Sequence, residues 1–208
     1  MTDQTELKEP YILYSIAGSS STAITVLLES LDLKYKLIQR DNVINYSDIV
    51  PTNQVPALVN RGFVLSEGSA IALYLMEKHC EWFATLEGKA KAKFYQILMF
   101  NYATLHPTYS KLRMVSIQAE KNYKLIQELA DKVSSLWEIV ETNLGDNSFM
   151  FGDKCTIVDY SLTLYFYCYE KYIPVVQVRI GNKIRELIER VKQSPEFIRA
   201  LKKEGLML

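Results

Sequence analysis

The chain has 208 residues, 49% hydrophobic and 23% charged, which allows one large domain or two small ones with packed cores. Its 24 basic and 24 acidic residues cancel to a net charge of +0, so no whole-molecule field favours nucleic acid or an anionic membrane. Cys80, Cys155 and Cys168 form no CxxC pair and His79 and His106 are the only histidines, which argues against a thiol redox motif, a Cys-rich zinc site or a His-based metal centre. The cysteines read as buried small hydrophobes in a reducing compartment.

In chain order, Tyr11 to Tyr14 is a short apolar strand. The uncharged run from Tyr11 to Leu28 approaches a membrane span in length, but its middle holds Ser15, Gly18, Ser19, Ser20, Ser21 and Thr22 and its N-terminal flank is partly acidic. Neither a spanning helix nor a signal peptide fits, and a cytoplasmic protein is expected. Ala23, Val26, Leu27 and Leu31 recur at helical spacing, and Tyr35 to Ile38 gives a second strand. A right-handed βαβ unit with parallel strands follows.

After a polar, irregular stretch from Arg40 to Thr52 comes NQVPALV, Asn53 to Val59. Pro56 supplies no donor to a sheet ladder, and an X-Pro bond is where a cis peptide is cheap, so a tight turn with Val55-Pro56 in cis is a candidate at the strand entrance. Ala57 to Val59 and Phe63 to Leu65, around Asn60-Arg61-Gly62, read as a hairpin. Ser66 is the expected N-cap of the next helix, with Glu67 in its first turn and Ala70, Ile71, Leu73, Tyr74 and Leu75 on its apolar side.

From Glu81 onward the pattern is helical. Leu125, Leu129, Val133, Leu136, Trp137, Val140 and Leu144 step at threes and fours until Gly145. Thr156-Ile157-Val158-Asp159 is a capping sequence, Ile184, Leu187, Ile188 and Val191 mark another helix, and Ser194-Pro195 starts a last one. The class is α/β followed by all-α. The first βα loop lies at the carboxyl end of a parallel strand, where ligands collect in open α/β sheets.

Four stretches in this order resemble the cytosolic glutathione transferases over nearly the whole chain. NQVPALV is similar to the family's cis-proline segment, and Leu65 to Leu75, LSEGSAIALYL, to its Leu-x-Glu-Ser-x-Ala-Ile motif. Thr156 to Asp159 matches its helix cap, and Arg190 to Leu206 its C-terminal ending. The resemblance implies a thioredoxin-like βαβαββα domain over residues 1–80, binding glutathione, and a helical bundle domain over 81–208, supplying the acceptor pocket. It also implies glutathione as co-substrate without a metal, a small electrophile as second substrate and a homodimer, with no nucleic-acid or membrane partner.

The chemical task in such an enzyme is to ionise the glutathione thiol, whose ordinary pKa of about 8.5 leaves only a few per cent as thiolate at neutral pH. A hydroxyl donor and the N-terminus of the following helix both favour the anion. Ser19 follows Gly18 as the serine does in the delta-class Pro-Gly-Ser pattern, and Ser20 and Ser21 are its rivals, because a one-residue shift exchanges their roles. By the same resemblance Gln54, Val55 and Pro56 hold the glycyl end and cysteinyl backbone. Glu67, Gly68 and Ser69 hold the γ-glutamyl end, and His106 touches glutathione or the electrophile. Tyr14, Tyr102, Tyr109 and Tyr165 are candidates for the acceptor pocket.

The loop has no cysteine, unlike the beta and omega classes, so glutaredoxin-like thiol transfer is not expected. It also lacks the Cys and Arg that follow the serine in delta and zeta patterns, which leaves the class open. The alternatives are a zeta-type glutathione-dependent isomerase and a non-catalytic binding module with the same fold.

Overall fold

The structure is a computed structural model that describes residues 9–118, 120–172 and 176–206, with the side chains of 168–172 excepted. In chain order the elements are β1 Tyr11–Ser15, α1 Thr22–Ser30, β2 Tyr35–Gln39, β3 Ala57–Asn60, β4 Phe63–Ser66, α2 Gly68–His79 and the single turn α3 Glu81–Ala84. They continue with α4 Gly88–Phe100, α5 His106–Ser116, α6 Tyr123–Leu144, α7 Ile157–Tyr172, α8 Asn182–Lys192 and α9 Pro195–Lys203. Two 3-10 turns, Arg40–Asn42 and Tyr46–Asp48, stand between β2 and β3 where the thioredoxin-like pattern has a helix.

The chain divides into two compact units, residues 1–87 with 195–208, and residues 88–194. The expected boundary at 80/81 gave everything beyond it to the helical domain, whereas here α3 and α9 cluster with the first unit. That unit is built on a four-stranded sheet of order β2-β1-β3-β4. β1 runs parallel to β2 and antiparallel to β3, which pairs antiparallel with β4, so both the βαβ unit and the hairpin are as the sequence implied. β1 alternates buried and half-buried residues, with Leu13 fully buried opposite Leu58.

Helix α9 packs on α1 and buries Phe197, Ala200 and Leu201. Glu29, near the end of α1 and only 8% exposed, bonds Tyr35 at 2.6 Å, Arg199 at 2.8 Å and Lys203 at 2.5 Å. Burial alone would raise its pKa, but the bonds to Lys203, Tyr35 and Arg199 outweigh burial and hold it below the usual carboxylate range. The helix ends in a Schellman turn: Gly205, at φ +70°, donates to the Lys202 carbonyl and Leu206 to that of Leu201.

In the second unit, Trp137, Tyr160, Phe94 and Leu98 are fully buried. Gly145, at φ +61°, closes α6 as expected. The Thr156 hydroxyl accepts from the Val158 amide, and Asp159 accepts from the Thr156 amide at 2.8 Å, which forms the predicted cap of α7; its other oxygen takes the Met150 amide at 2.9 Å. A π-helical segment, Asn101–Leu105, joins α4 to α5. Pro107 explains it, because the proline has no N–H for the Ala103 carbonyl and its ring crowds that group, so the helix widens there. Cys80 and Cys155 are half-buried, outside any disulfide, rather than core residues, and Cys168 lies outside the described side chains.

Candidate functional site

Sheet register builds the site in the first unit. Tyr14 of β1 pairs with Ala57 of β3, which pairs in turn with Ser66 of β4. The loop after β1, the segment before β3 and the segment after β4 therefore leave the sheet at one end, and nine of the ten candidate side chains lie on these three segments.

In the first segment Gly18 takes φ +74°, and the chain then winds tightly into α1 with Ser19 N–H on the Ile16 carbonyl and Thr22 N–H on the Ser19 carbonyl. Ser21 occupies the N-cap position, yet its hydroxyl does not cap the helix. It turns back to accept from the Ile16 amide at 3.1 Å and is 0% exposed. Ser19 and Ser21 hydroxyls lie 2.7 Å apart, and the Ser21 amide donates to the Ser19 oxygen. Ser21 is thus held inside the loop, and half-buried Ser19 stands in front of it. Half-buried Ser20 makes no hydrogen bond among the described residues. The three hydroxyls that the sequence left interchangeable are therefore distinct: one held from behind, one linked to it, one uncommitted.

In the second segment the Val55-Pro56 peptide is cis. Pro56 is buried, and Val55 packs on a small cluster of Tyr46, Val50 and Ala57 with Tyr14 beside it. The Tyr46 hydroxyl donates to the Gln54 carbonyl at 3.0 Å, while the Gln54 side chain is exposed. Burial, followed by the neighbouring Tyr14, pushes the Tyr46 pKa up to about 12, so it remains a donor at neutral pH. Val55 makes no backbone hydrogen bond among the described residues.

The third segment corrects one expectation. Ser66 ends β4 and is not the N-cap of α2; that position belongs to Glu67, at φ +67° and ψ 113°. A non-glycine residue at positive φ is uncommon and is held only by its surroundings. The exposed Glu67 carboxylate does not cap α2, whose first-turn N–H groups on buried Gly68 and half-buried Ser69 receive no side-chain cap.

His106, the tenth candidate, lies in the second unit at the start of α5, half-buried. Its ring centroid is 5.2 Å from that of Tyr165, and burial holds its pKa below the usual histidine value. Tyr165 in turn stacks with Tyr109, whose hydroxyl accepts from the Trp137 indole N–H. Tyr14 belongs to the first unit, packed on Tyr46, while Tyr102, Tyr109 and Tyr165 belong to the second. Among the described residues no group of three or more His, Cys, Asp and Glu is placed to hold a metal ion, and no helix is long and apolar enough to cross a membrane.

Sequence reasoning missed Glu204. It is 8% exposed and accepts from Thr22 Oγ1 and Thr25 Oγ1, each at 2.6 Å, and from the Gly18 amide at 3.2 Å. Its signal was a glutamate in the last turn of an amphipathic helix, where a cation is favoured.

Residues 9–77 match the family model of the glutathione S-transferase N-terminal domain. Glutathione S-transferase D7 of Drosophila melanogaster is 32% identical over 114 residues, which are 53% of this chain and 50% of that relative, so the match spans about half the length of the relative. A glutathione transferase family member from Pseudomonas fluorescens pf-5, solved with two glutathione bound, is 19% identical with a TM-score of 0.78 and covers 96% of this chain and 94% of its own. Ure2p in complex with S-p-nitrobenzylglutathione is 18% identical with a TM-score of 0.82, covering 93% of this chain and 94% of its own. At such identities the solved structures show a shared fold. The matched family model thus accounts for residues 9–77, which hold the four-stranded sheet and most of α2, and the solved structures extend the likeness in fold over nearly the whole chain.

Proposed function

We propose that the protein is a glutathione transferase whose first unit binds glutathione and ionises its thiol for attack on a small electrophile. The observation that carries this reading is the register row Tyr14, Ala57, Ser66, which brings the serine loop, the Val55 backbone and the α2 N-terminus to one end of the sheet. The unpaired N–H and C=O of Val55 suit an antiparallel pair with the cysteinyl residue, and Gln54 reaches its glycyl neighbour. The uncapped N–H groups of Gly68 and Ser69 receive the γ-glutamyl carboxylate, and the Glu67 carboxylate receives its ammonium.

Ser19 is the thiolate donor. The Ser19 oxygen accepts the Ser21 amide and lies 2.7 Å from the Ser21 hydroxyl, whose proton reaches the Ile16 carbonyl at 3.2 Å; on glutathione binding the Ser19 proton turns to the sulfur, and the α1 macrodipole adds to that hydrogen bond. Thiolate attack then forms the carbon–sulfur bond and expels the leaving group or adds across an activated double bond. A relative-fold protein holding a nitrobenzyl conjugate supports an aromatic electrophile. The proposed assembly is a homodimer.

The test is thiolate ultraviolet absorbance of the glutathione complex between about pH 5 and 9, wild type beside Ser19→Ala. A neutral-pH band that Ser19→Ala abolishes is the expected result. A band that survives transfers the role to Ser20 or Ser21, and binding without any band selects the non-catalytic module.

A further inference from the structure

Glu204 breaks two rules of its own helix. A carboxylate at the C-terminal end of a helix meets the negative pole of the macrodipole, and α9 otherwise places Lys202 and Lys203 there. It is also buried, where a charge is costly unless it is fully hydrogen-bonded. Both costs are offset on α1. The carboxylate faces the N-terminal turn of that helix, where the Thr22 hydroxyl, the Thr25 hydroxyl and the Gly18 amide all donate to it. The Schellman turn through Gly205 and Leu206 fixes its backbone, and Leu206 lies over Gly18, with methyl carbons 3.7 and 3.8 Å from where a Gly18 Cβ would stand.

We propose that Glu204 is a positioning residue for thiol activation, a clamp from α9 that sets the Gly18-Ser19 backbone on which the sulfur donor is carried. The Gly18 amide is shared between Glu204 Oε2 and Thr22 Oγ1, at 3.2 and 3.1 Å, and the Thr22 proton goes to the same carboxylate oxygen. Gly18 is thereby drawn inward at φ +74°, and Ser19, the next residue, is presented from a fixed frame. The clamp rests on the reading of this loop as the thiol site. Burial raises the Glu204 pKa and the bonds from Thr22, Thr25 and Gly18 oppose it. Tyr35 on β2 feels its charge, while Glu29 on α1 is engaged by Arg199 and Lys203 of α9.

The experiment compares wild type, Glu204→Ala, Glu204→Asp and Glu204→Gln in the full chain, with thermal unfolding, amide hydrogen exchange at Gly18, glutathione KM and thiolate titration. Glu204→Ala and Glu204→Asp, which is one methylene too short, are expected to expose the Gly18 amide to exchange, raise KM about tenfold and move the thiolate midpoint up by about one pH unit. Glu204→Gln keeps the length and an acceptor oxygen. It restores KM, and its midpoint lies at or below wild type because removal of a nearby negative charge favours the anion. Folded Ala and Asp variants with wild-type Gly18 exchange, KM and titration, differing only in melting temperature, overturn the clamp alone. A wild-type protein without glutathione binding overturns the thiol-site reading and the clamp together.

Discussion

At the scale of single residues, burial and hydrogen-bond partners separate side chains that the sequence leaves equivalent. Ser19, Ser20 and Ser21 are one composition signal, but only Ser21 is fully buried and bonded to Ile16. Ser21→Ala leaves the Ile16 amide without its partner, so it is expected to cost about 1–3 kcal/mol in denaturant unfolding and to weaken the thiolate band through Ser19. The Glu67 conformation and the partners of Glu204 were not legible, because neither a positive φ at a non-glycine residue nor a contact across more than 180 positions leaves a local mark. The cis-proline segment and the Thr156-Asp159 cap were legible because proline chemistry and capping act within a few residues. Asp159→Ala strands the Met150 and Thr156 amides, both on a fully buried carboxylate, and is expected to destabilise the fold by about 1–3 kcal/mol or more, read as a lower denaturation midpoint. Glutathione affinity measured under native conditions should stay near wild type, because Asp159 lies among the helices of the second unit.

At the scale of elements, periodicity found the strands and long helices but not how each is used. The apolar run of β1 and the Asn60-Arg61-Gly62 turn marked strand and hairpin, and the parallel β1–β2 pair followed from the βαβ unit, whereas the β1–β3 pairing that joins them left no local mark. Helix α9 was legible as a helix from its Ser194-Pro195 start, and it buries Phe197, Ala200 and Leu201. Its partner was not, since an amphipathic face states that something covers it and not what does. The π segment before Pro107 likewise has no spacing signature of its own, because it is a response to one missing N–H. Ser66 looked like an N-cap because its residue type suits one, and the hairpin register claimed it for β4 instead.

At the scale of the whole molecule, zero net charge leaves the pH response to a few buried groups. His79, which is bonded to the Tyr11 hydroxyl at 2.8 Å, has its pKa lowered by burial and then by Lys78, and His106 has its pKa lowered by burial. A base with a depressed folded pKa binds its proton first in the unfolded chain. Stability from both groups is therefore complete above about pH 6.5 and is lost as pH falls, with a limiting slope of about 1.4 kcal/mol per pH unit for each proton. Asp159, which burial pushes up to about 6 against its donor bonds, acts in the opposite sense between that value and the ordinary range. His106→Phe keeps a ring against Tyr165 and removes the titration, so the difference between its stability and wild type should flatten the acid limb below about pH 6.5 by up to one proton's slope. An unchanged slope would mean that His106 is protonated as readily folded as unfolded. The division of the chain carries a further consequence, for the order of synthesis. Because residues 195–208 complete the unit that residues 1–87 begin, the ribosome must translate residues 88–194 before Glu204 exists to reach Thr22. At about 5–20 residues per second that interval lasts on the order of 5–20 s. The nascent first unit passes it with the α1 face uncovered, and acquires its finished loop only once α9 has emerged from the exit tunnel.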